Sequence, residues 1–158
     1  MVLLSAGIGA TPVLAMLHAL AATRSAKQVL WLHAARDREH HPFVAEVRLL
    51  MLALPHGRSY VCYSKPASTD RLGVDFDAAG HLSRSVLEEA AVAREAEVYL
   101  CGPAAFMTDM KAELAGYGVP PERIHIEIFN GCESRSPGVA GALTRNPHPP
   151  VGDTNSGP

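Results

Sequence analysis

The sequence lacks the features that mark several common protein classes. Lys and Arg number 14 against 16 Asp and Glu, so a net charge of -2 offers nucleic acid or an anionic membrane surface no attraction. Cys62, Cys101 and Cys132 have no C-x-x-C spacing, which predicts neither a disulfide framework nor a zinc or iron–sulfur site. Gly, Pro, His or charged residues interrupt every apolar stretch well short of a membrane span. We therefore expect no nucleic-acid or membrane partner, no metal, and a reduced, cytoplasmic setting.

The most informative segment that is present is the glycine-bearing stretch from Ser5 to Pro12. It joins an apolar run, Met1 to Leu4, to an apolar-periodic segment, and therefore predicts a strand, a tight loop and a helix. Gly7 and Gly9 permit a sharp turn and close approach of a ligand to the backbone. Thr11 is the expected N-cap and Pro12 the expected first helical residue. A helix N-terminus in this position suits a phosphate, although a ligand-free structural turn explains the same residues.

Strand-like and helical segments alternate through the rest of the chain. Four further strands are predicted at 28–33, 59–64, 97–101 and 123–129, with helices opening at Pro42, Ser83 and Ala104 between them. This alternation predicts an α/β, doubly wound, mostly parallel five-stranded sheet of order 3-2-1-4-5 with helices on both faces. In that order the loops after strands 1 and 4 flank the switch point where such sheets bind ligands. The Gly7–Gly9 loop and the Cys101-Gly102-Pro103 loop should therefore open onto one crevice.

The C-terminal part of the sequence has a different composition. From residue 131 onward the apolar periodicity is absent, and Pro is interleaved with Gly, Ser, Thr and Asn. Such a segment cannot bury enough apolar surface to hold one conformation. The sequence therefore predicts a folded domain over residues 1–130 and a disordered tail or linker over 131–158.

Several motifs in order resemble the NAD(P)-binding domain of the ferredoxin–NADP reductase superfamily, closest to its flavohaemoglobin and phthalate-dioxygenase-reductase-like branch. They are Gly-Ile-Gly-Ala-Thr-Pro from Gly7, Leu-His-Ala-Ala-Arg from Leu32, Tyr-Leu-Cys-Gly-Pro from Tyr99, and His-Ile-Glu-Ile-Phe from His125. The resemblance covers residues 2–129. It implies hydride transfer from NAD(P)H to FAD or FMN, and then electron transfer to an iron–sulfur or haem acceptor. Such chemistry belongs to the cofactors, so it needs neither a catalytic triad nor paired carboxylates.

The resemblance also implies a role for particular residues. Cys101, Glu127 and Phe129 would lie at the reacting rings, Cys101 beside the nicotinamide and the other two toward the flavin edge. The implied cofactor contacts run from the pyrophosphate through the adenosine half to the nicotinamide: Gly7, Gly9, Thr11, Pro12, Ala35, Arg36, Tyr63, Ser64, Cys101, Gly102, Pro103 and Met107. Candidate ligands of a 2′-phosphate are Arg36, Arg38, Lys65 and Arg71, whereas Asp37 is a candidate for a ribose diol, so NADH and NADPH both stay open.

One departure from the resembled family concerns the flavin. Those reductases carry a flavin-binding barrel before the nucleotide domain, and this sequence begins inside the first predicted strand. We expect a fragment of a longer reductase, or a protein that works with a separate flavin-binding domain and an electron acceptor such as a ferredoxin-like, oxygenase or haem protein. The tail resembles a linker to a 2Fe–2S module, although the cysteine spacing of that cluster is absent. The alternatives are a non-catalytic nucleotide-binding module and a methyltransferase-like domain.

Overall fold

A parallel sheet forms the centre of the structure. The computed structural model describes residues 1–127, in which six strands are β1 (Val2–Ala6), β2 (Val29–Ala35), β3 (Gly57–Tyr63), β4 (Ala78–Ala79), β5 (Val98–Cys101) and β6 (Ile124–Ile126). The order across the sheet is β4-β3-β2-β1-β5-β6, and every pair is parallel. The predicted fold class and order are confirmed, and β4 is a sixth, two-residue edge strand beyond the five that were predicted.

Within residues 1–127, four α-helices cover the two faces of the sheet. They are α1 (Ala10–Ala22), α2 (Val44–Leu52), α3 (Arg84–Glu89) and α4 (Ala104–Tyr117). On one face Leu3 and Trp31 pack with residues of α1 and α2. On the other face Leu4, Leu32 and Leu100 pack with residues of α3 and α4. Because both faces are buried, the central strands are apolar at consecutive positions, as expected of a parallel sheet. None of the described helices has the length and hydropathy needed to cross a bilayer.

The start of α1 differs from the sequence-based prediction. A 3₁₀ turn over Gly7–Gly9 runs directly into α1, whose N-cap is Gly9 and not Thr11. Thr11 is the second residue of the helix and is exposed, so the prediction that it caps the helix is wrong. Pro12 is the third residue, where its missing N–H is still among those without an intrahelical acceptor. The consequence is that the helix begins nearer to the strand than the sequence suggested.

Other boundaries shift for local backbone reasons. Helix α3 ends at Glu89, because Ala91 adopts a left-handed conformation (φ 49°) and the Val92 N–H bonds back to the Leu87 carbonyl. This is a Schellman ending with alanine in the position usually held by glycine. Helix α2 starts at Val44 and not at Pro42, because Phe43 is left-handed (φ 61°).

Two further segments bear on the site. Strand β2 extends through Ala35, so residues 34 and 35, predicted to be loop, are part of the sheet. Strand β6 ends at Ile126; Ile124 packs against the α3 and α4 side, whereas Ile126 is exposed. Ile128 and Phe129, and the whole predicted tail over 131–158, lie outside the described residues.

Candidate functional site

The turn after β1 presents its backbone to open space on one side. Gly7 has a φ of +52°, a region that favours glycine, and a Cβ built on it would meet nothing within 4 Å. Ile8, the next residue, is 65% exposed. A ligand can therefore approach the amide groups of this turn without displacing any side chain.

The same turn is closed on its other side by the backbone that follows β5. A Cβ on Gly9 would lie 2.5 Å from the Cys101 carbonyl oxygen and 2.5 Å from Gly102 Cα. Only a residue without a side chain allows the two loops to approach so closely. The predicted convergence of the loops that follow β1 and β5 is therefore confirmed.

The N-terminus of α1 gives this crevice its electrostatic character. The first amide N–H groups of a helix have no intrahelical acceptor, and the helix dipole adds partial positive charge there. No acidic residue lies in the first turn of α1 to neutralise it. The exposed Thr11 hydroxyl and the half-buried Pro12 border the same end. The arrangement suits an anion, and a pyrophosphate in particular.

Cys101 lies at the crevice through its backbone, whereas its side chain points into the core. The residue is fully buried and belongs to the apolar cluster that contains Leu3, Ala10 and Val13. In the sheet Cys101 pairs with Ser5 of β1. The prediction that its thiol faces a nicotinamide ring stays a prediction.

The loop into α4 places small residues beside the β1 turn. A Cβ on Gly102 would lie 3.4 Å from the Ala6 Cβ and 2.6 Å from Cδ1 of Phe106. Pro103 is exposed at the N-cap position of α4. Met107, in contrast, is half-buried and packs against the core on the α3 and α4 side, where it also lines an apolar groove with Ile126. The structure thus brings Gly102 and Pro103 to the crevice and places Met107 on the helix behind it.

The carboxyl end of β2 carries a charged cluster. Ala35 is buried, and Arg36 follows it with an exposed side chain. The Asp37 carboxylate accepts hydrogen bonds from His40 Nδ1 (2.6 Å) and from Arg36 Nε (3.1 Å). The His40 bond, together with the Arg36 bond, lowers the pKa of Asp37 to about 2. Asp37 is therefore ionised and held by its own neighbours at neutral pH.

The neighbouring loops add two more cations to this edge. The Lys65 backbone N–H bonds to the Arg36 carbonyl at 2.8 Å, which sets the exposed Lys65 next to Arg36. Arg38 lies 3.8 Å from an Asp70 carboxylate oxygen. Arg71, the fourth predicted phosphate ligand, is paired with Asp75 at 3.2 Å.

Tyr63 and Ser64, predicted beside the adenosine half, have different surroundings. Tyr63 is 1% exposed; its ring stacks on Phe76 at 5.0 Å, and its hydroxyl lies 3.0 Å from His41 Nδ1. Ser64 is half-buried and donates its backbone N–H to the Ala35 carbonyl. The structure therefore places Ser64 at the edge of the sheet and Tyr63 within the core.

A buried polar group that the sequence analysis missed lies below these turns. Ser5 Oγ is 2.8 Å from His33 Nδ1, and both residues are fully buried. The His33 ring stacks on His41 at 4.9 Å, while its Nε2 has no hydrogen-bond partner among the described residues. Burial lowers the pKa of His33 to about 3 and that of His41 to about 4, so both rings are neutral at pH 7. The sequence signal that could have indicated this buried pair is His33, a histidine within an otherwise apolar strand.

The last described residues lie at the far edge of the sheet. The Glu127 N–H bonds to the Leu100 carbonyl at 3.0 Å, which extends the β5–β6 ladder, and its side chain is exposed. His125 stacks on Tyr99 and its Nε2 lies 2.7 Å from Glu97, whose pKa this bond lowers. Within residues 1–127 no group of three His, Cys, Asp or Glu side chains is arranged to hold a metal. Phe129, the third residue predicted at the reacting rings, is not among the described residues.

Comparison with known sequences assigns the chain to one protein family and finds similar proteins of one kind. Residues 3–112 match the oxidoreductase NAD-binding domain family. The chain is 43% identical over 128 residues to a flavohemoprotein of Chromobacterium violaceum, covering 81% of this chain and 31% of that protein. It is 41% identical over 140 residues to a flavohemoprotein of Deinococcus radiodurans, covering 89% and 35%. The chain thus spans about a third of the length of these curated relatives.

Solved structures of similar proteins agree with the fold. The flavohem-like FAD/NAD binding domain of a nitric oxide dioxygenase from Vibrio cholerae is 34% identical, with a TM-score of 0.69 over 81% of this chain and 50% of that one. A flavohemoglobin from Malassezia yamatoensis with bound FAD and heme is 31% identical, with a TM-score of 0.69 over 81% of this chain and 31% of that one.

Proposed function

The chain belongs to the oxidoreductase NAD-binding domain family, in its flavohaemoglobin branch, and we propose that it binds NAD(P)H and positions it for hydride transfer to a flavin. Because the chain belongs to this family, we reject the methyltransferase-like alternative. The single observation that carries the proposal is the backbone contact of Gly9 with Cys101 and Gly102, which brings the two turns together beside the N-terminus of α1.

The residues present fit a dinucleotide. Gly7 leaves open space over the turn, and the N-terminus of α1 offers amide donors and positive potential without a competing acidic side chain. The pyrophosphate would lie on Gly7, Gly9, Thr11 and Pro12. The adenosine half would extend over the β2 end toward Arg36 and Ser64, and the nicotinamide half over Gly102 and Pro103.

The chain's contribution to the reaction is binding and orientation. NAD(P)H, when bound, supplies a hydride, two electrons and a proton, to an FAD or FMN held by another domain. Fixing the pyrophosphate on main-chain donors restricts where the ring attached to it can lie, and such positioning is a substantial part of the rate gain in hydride transfer. The proposed roles of Cys101, Glu127 and Phe129 beside the rings rest on the motif resemblance.

The proposed electron acceptor follows from the relatives. Flavohemoproteins are similar to this chain, and one of the solved structures holds FAD and heme. We propose a haem domain as the final acceptor in the complete reductase, in preference to a 2Fe–2S module, which no relative named above carries in its name.

Nucleotide binding and electron transfer are tested separately. Calorimetric titration of the chain with NAD⁺ should show one site, and Gly9→Ala should weaken binding there at least roughly tenfold. The gene region that includes the upstream sequence should, when expressed with FAD, oxidise NADH or NADPH with ferricyanide as acceptor. Binding without oxidation in that longer protein would favour a non-catalytic nucleotide-binding module. Absence of binding by the folded chain would refute the proposal.

A further inference from the structure

The charged cluster at the carboxyl end of β2 bears on which coenzyme is bound. In doubly wound folds this strand end lies beside the adenosine ribose, where an Asp or Glu carboxylate accepts hydrogen bonds from the ribose diol of NAD. The first carboxylate after β2 is Asp37, and the exposed Glu39 follows two residues further on. Whether Asp37 is available therefore bears directly on whether a diol has an acceptor next to the strand end.

Both oxygens of Asp37 are engaged within the protein. Oδ1 accepts from the His40 backbone N–H (3.1 Å) and from His40 Nδ1 (2.6 Å), and Oδ2 accepts from Arg36 Nε (3.1 Å). Asp37 is only 9% exposed as a residue. Three of the roughly four acceptor positions of this carboxylate are therefore filled by charge-assisted hydrogen bonds, which leaves a ribose diol at most one position, on Oδ2.

Two cations beside Asp37 are more available to a ligand than Asp37 and Asp70 are. Arg36 uses Nε toward Asp37, its side chain is 62% exposed, and its two terminal nitrogens have no hydrogen-bond partner among the described residues. The Lys65 backbone is bonded to Arg36, and its exposed ammonium group has no ion pair in the described part of the chain. Asp70, the second carboxylate here, accepts from the Ala67 and Arg38 backbone N–H groups and faces Arg38.

We infer that this chain discriminates in favour of the 2′-phosphorylated coenzyme, with Arg36 and Lys65 as the residues that bind the 2′-phosphate. The inference rests on the proposed function and specifies its substrate as NADPH. The planar guanidinium of Arg36 can donate both terminal nitrogens to one phosphate while Nε keeps Asp37 in place. In this arrangement Asp37 orients Arg36 and does not touch the ribose.

The test compares two probes that differ only in the group concerned. The 158-residue chain is titrated by calorimetry with adenosine 2′,5′-bisphosphate and with adenosine 5′-monophosphate. We expect the bisphosphate to bind at least roughly tenfold more tightly, since a hydrogen bond to a charged group contributes about 1.5–3 kcal/mol. Equal affinities would overturn the inference and leave the proposed function standing. Failure of both probes and of NAD⁺ to bind would refute the proposed function itself.

Variants of Arg36 and Asp37 show which of these two side chains recognises the adenosine ribose or its 2′-phosphate. Arg36→Ala should weaken the bisphosphate roughly tenfold and leave the monophosphate within twofold. Asp37→Asn, which keeps an acceptor for His40, should leave the monophosphate within twofold as well. A tenfold loss of monophosphate affinity in Asp37→Asn would identify Asp37 as the ribose ligand and contradict the inference. Lys27→Ala removes one exposed charge at the opposite end of β2 and serves as the control, with both affinities unchanged.

Discussion

One half of the proposed nucleotide site consists of main-chain groups, and the other half consists of side chains. At the β1 and β5 ends the site is main chain: glycine lets one turn rest on the other, and the donors are backbone amides. At the β2 and β3 ends it is side chain: Arg36, Asp37, His40 and Lys65 determine what a ligand meets. The first half can hold either nicotinamide coenzyme, since NAD and NADP share the same pyrophosphate. Choice between coenzymes therefore falls to the second half.

The difference also concerns how each half tolerates change. The main-chain half is fixed by contacts at van der Waals limits, so a single methyl group disrupts it. Apart from the buried Asp37, the side-chain half consists of exposed groups that can be exchanged with little effect on folding. We expect substitutions in the first half to alter both stability and binding, and those in the second to alter binding alone.

The largest effect is expected from Gly9→Ala. Its Cβ would lie 2.5 Å from two backbone atoms of the β5 loop, neither of which can rotate away. We expect a loss of about 1–3 kcal/mol in the free energy of unfolding, measured by urea denaturation, and at least tenfold weaker NAD⁺ binding. Gly116→Ala is the matched control, since its Cβ would meet only the flexible end of Arg84. Equal stability of the two variants would contradict the role assigned to Gly9.

Acidification should destabilise the core beneath the main-chain half. The folded-state pKa of His33, about 3, lies below its ordinary value of 6.5, so the unfolded chain binds more protons between these two values. The stabilisation from the neutral His33 is complete above pH 6.5 and is lost as the pH falls toward 3. At pH 5 the loss from this residue is about 2 kcal/mol. His33→Gln should reduce the pH dependence of the unfolding free energy between pH 6.5 and 5, and much of the remaining slope should come from His41, whose pKa burial lowers to about 4. An unchanged slope would mean that His33 is hydrated or charged in the folded protein.

The Ser5–His33 pair offers a smaller and more specific test. Ser5→Ala leaves the buried His33 ring without its one hydrogen-bond partner among the described residues and should cost about 1–3 kcal/mol. Replacing both residues, with Ser5→Ala and His33→Leu, removes the unsatisfied nitrogens as well and should be less destabilising than Ser5→Ala alone. Additive losses in chemical denaturation would argue against this coupling.

The smallest effect is expected from Tyr63→Phe. It removes the hydroxyl that contacts His41 and keeps the stack on Phe76, so it should cost about 0.5–1.5 kcal/mol. Because Tyr63 is buried, nucleotide affinity measured by calorimetry should stay within twofold. A tenfold loss would show that the ring reaches the adenosine half after all.

The main-chain half could be predicted from the sequence and the side-chain half could not. Apolar runs and the glycines at positions 7 and 9 are local signals, and parallel strands bring their carboxyl ends together, so the order of the five longer strands and the shared crevice follow from pattern alone. The pairing of Asp37 with His40 depends on a 3₁₀ turn over Arg38–His40 that no periodicity indicates. Likewise α3 ends on a left-handed Ala91, where the usual signal would be a glycine.

The most direct test of the account is to map the bound coenzyme onto the backbone. Amide chemical shifts or hydrogen exchange of the chain, with and without NADP⁺, report each residue separately. We expect the changes to be concentrated in two segments distant in sequence, residues 7–12 and 101–104, with a further set at residues 36 and 65. Changes confined to one of the two glycine-bearing segments, or found only elsewhere on the sheet, would contradict the claim that the two turns form a single nucleotide site.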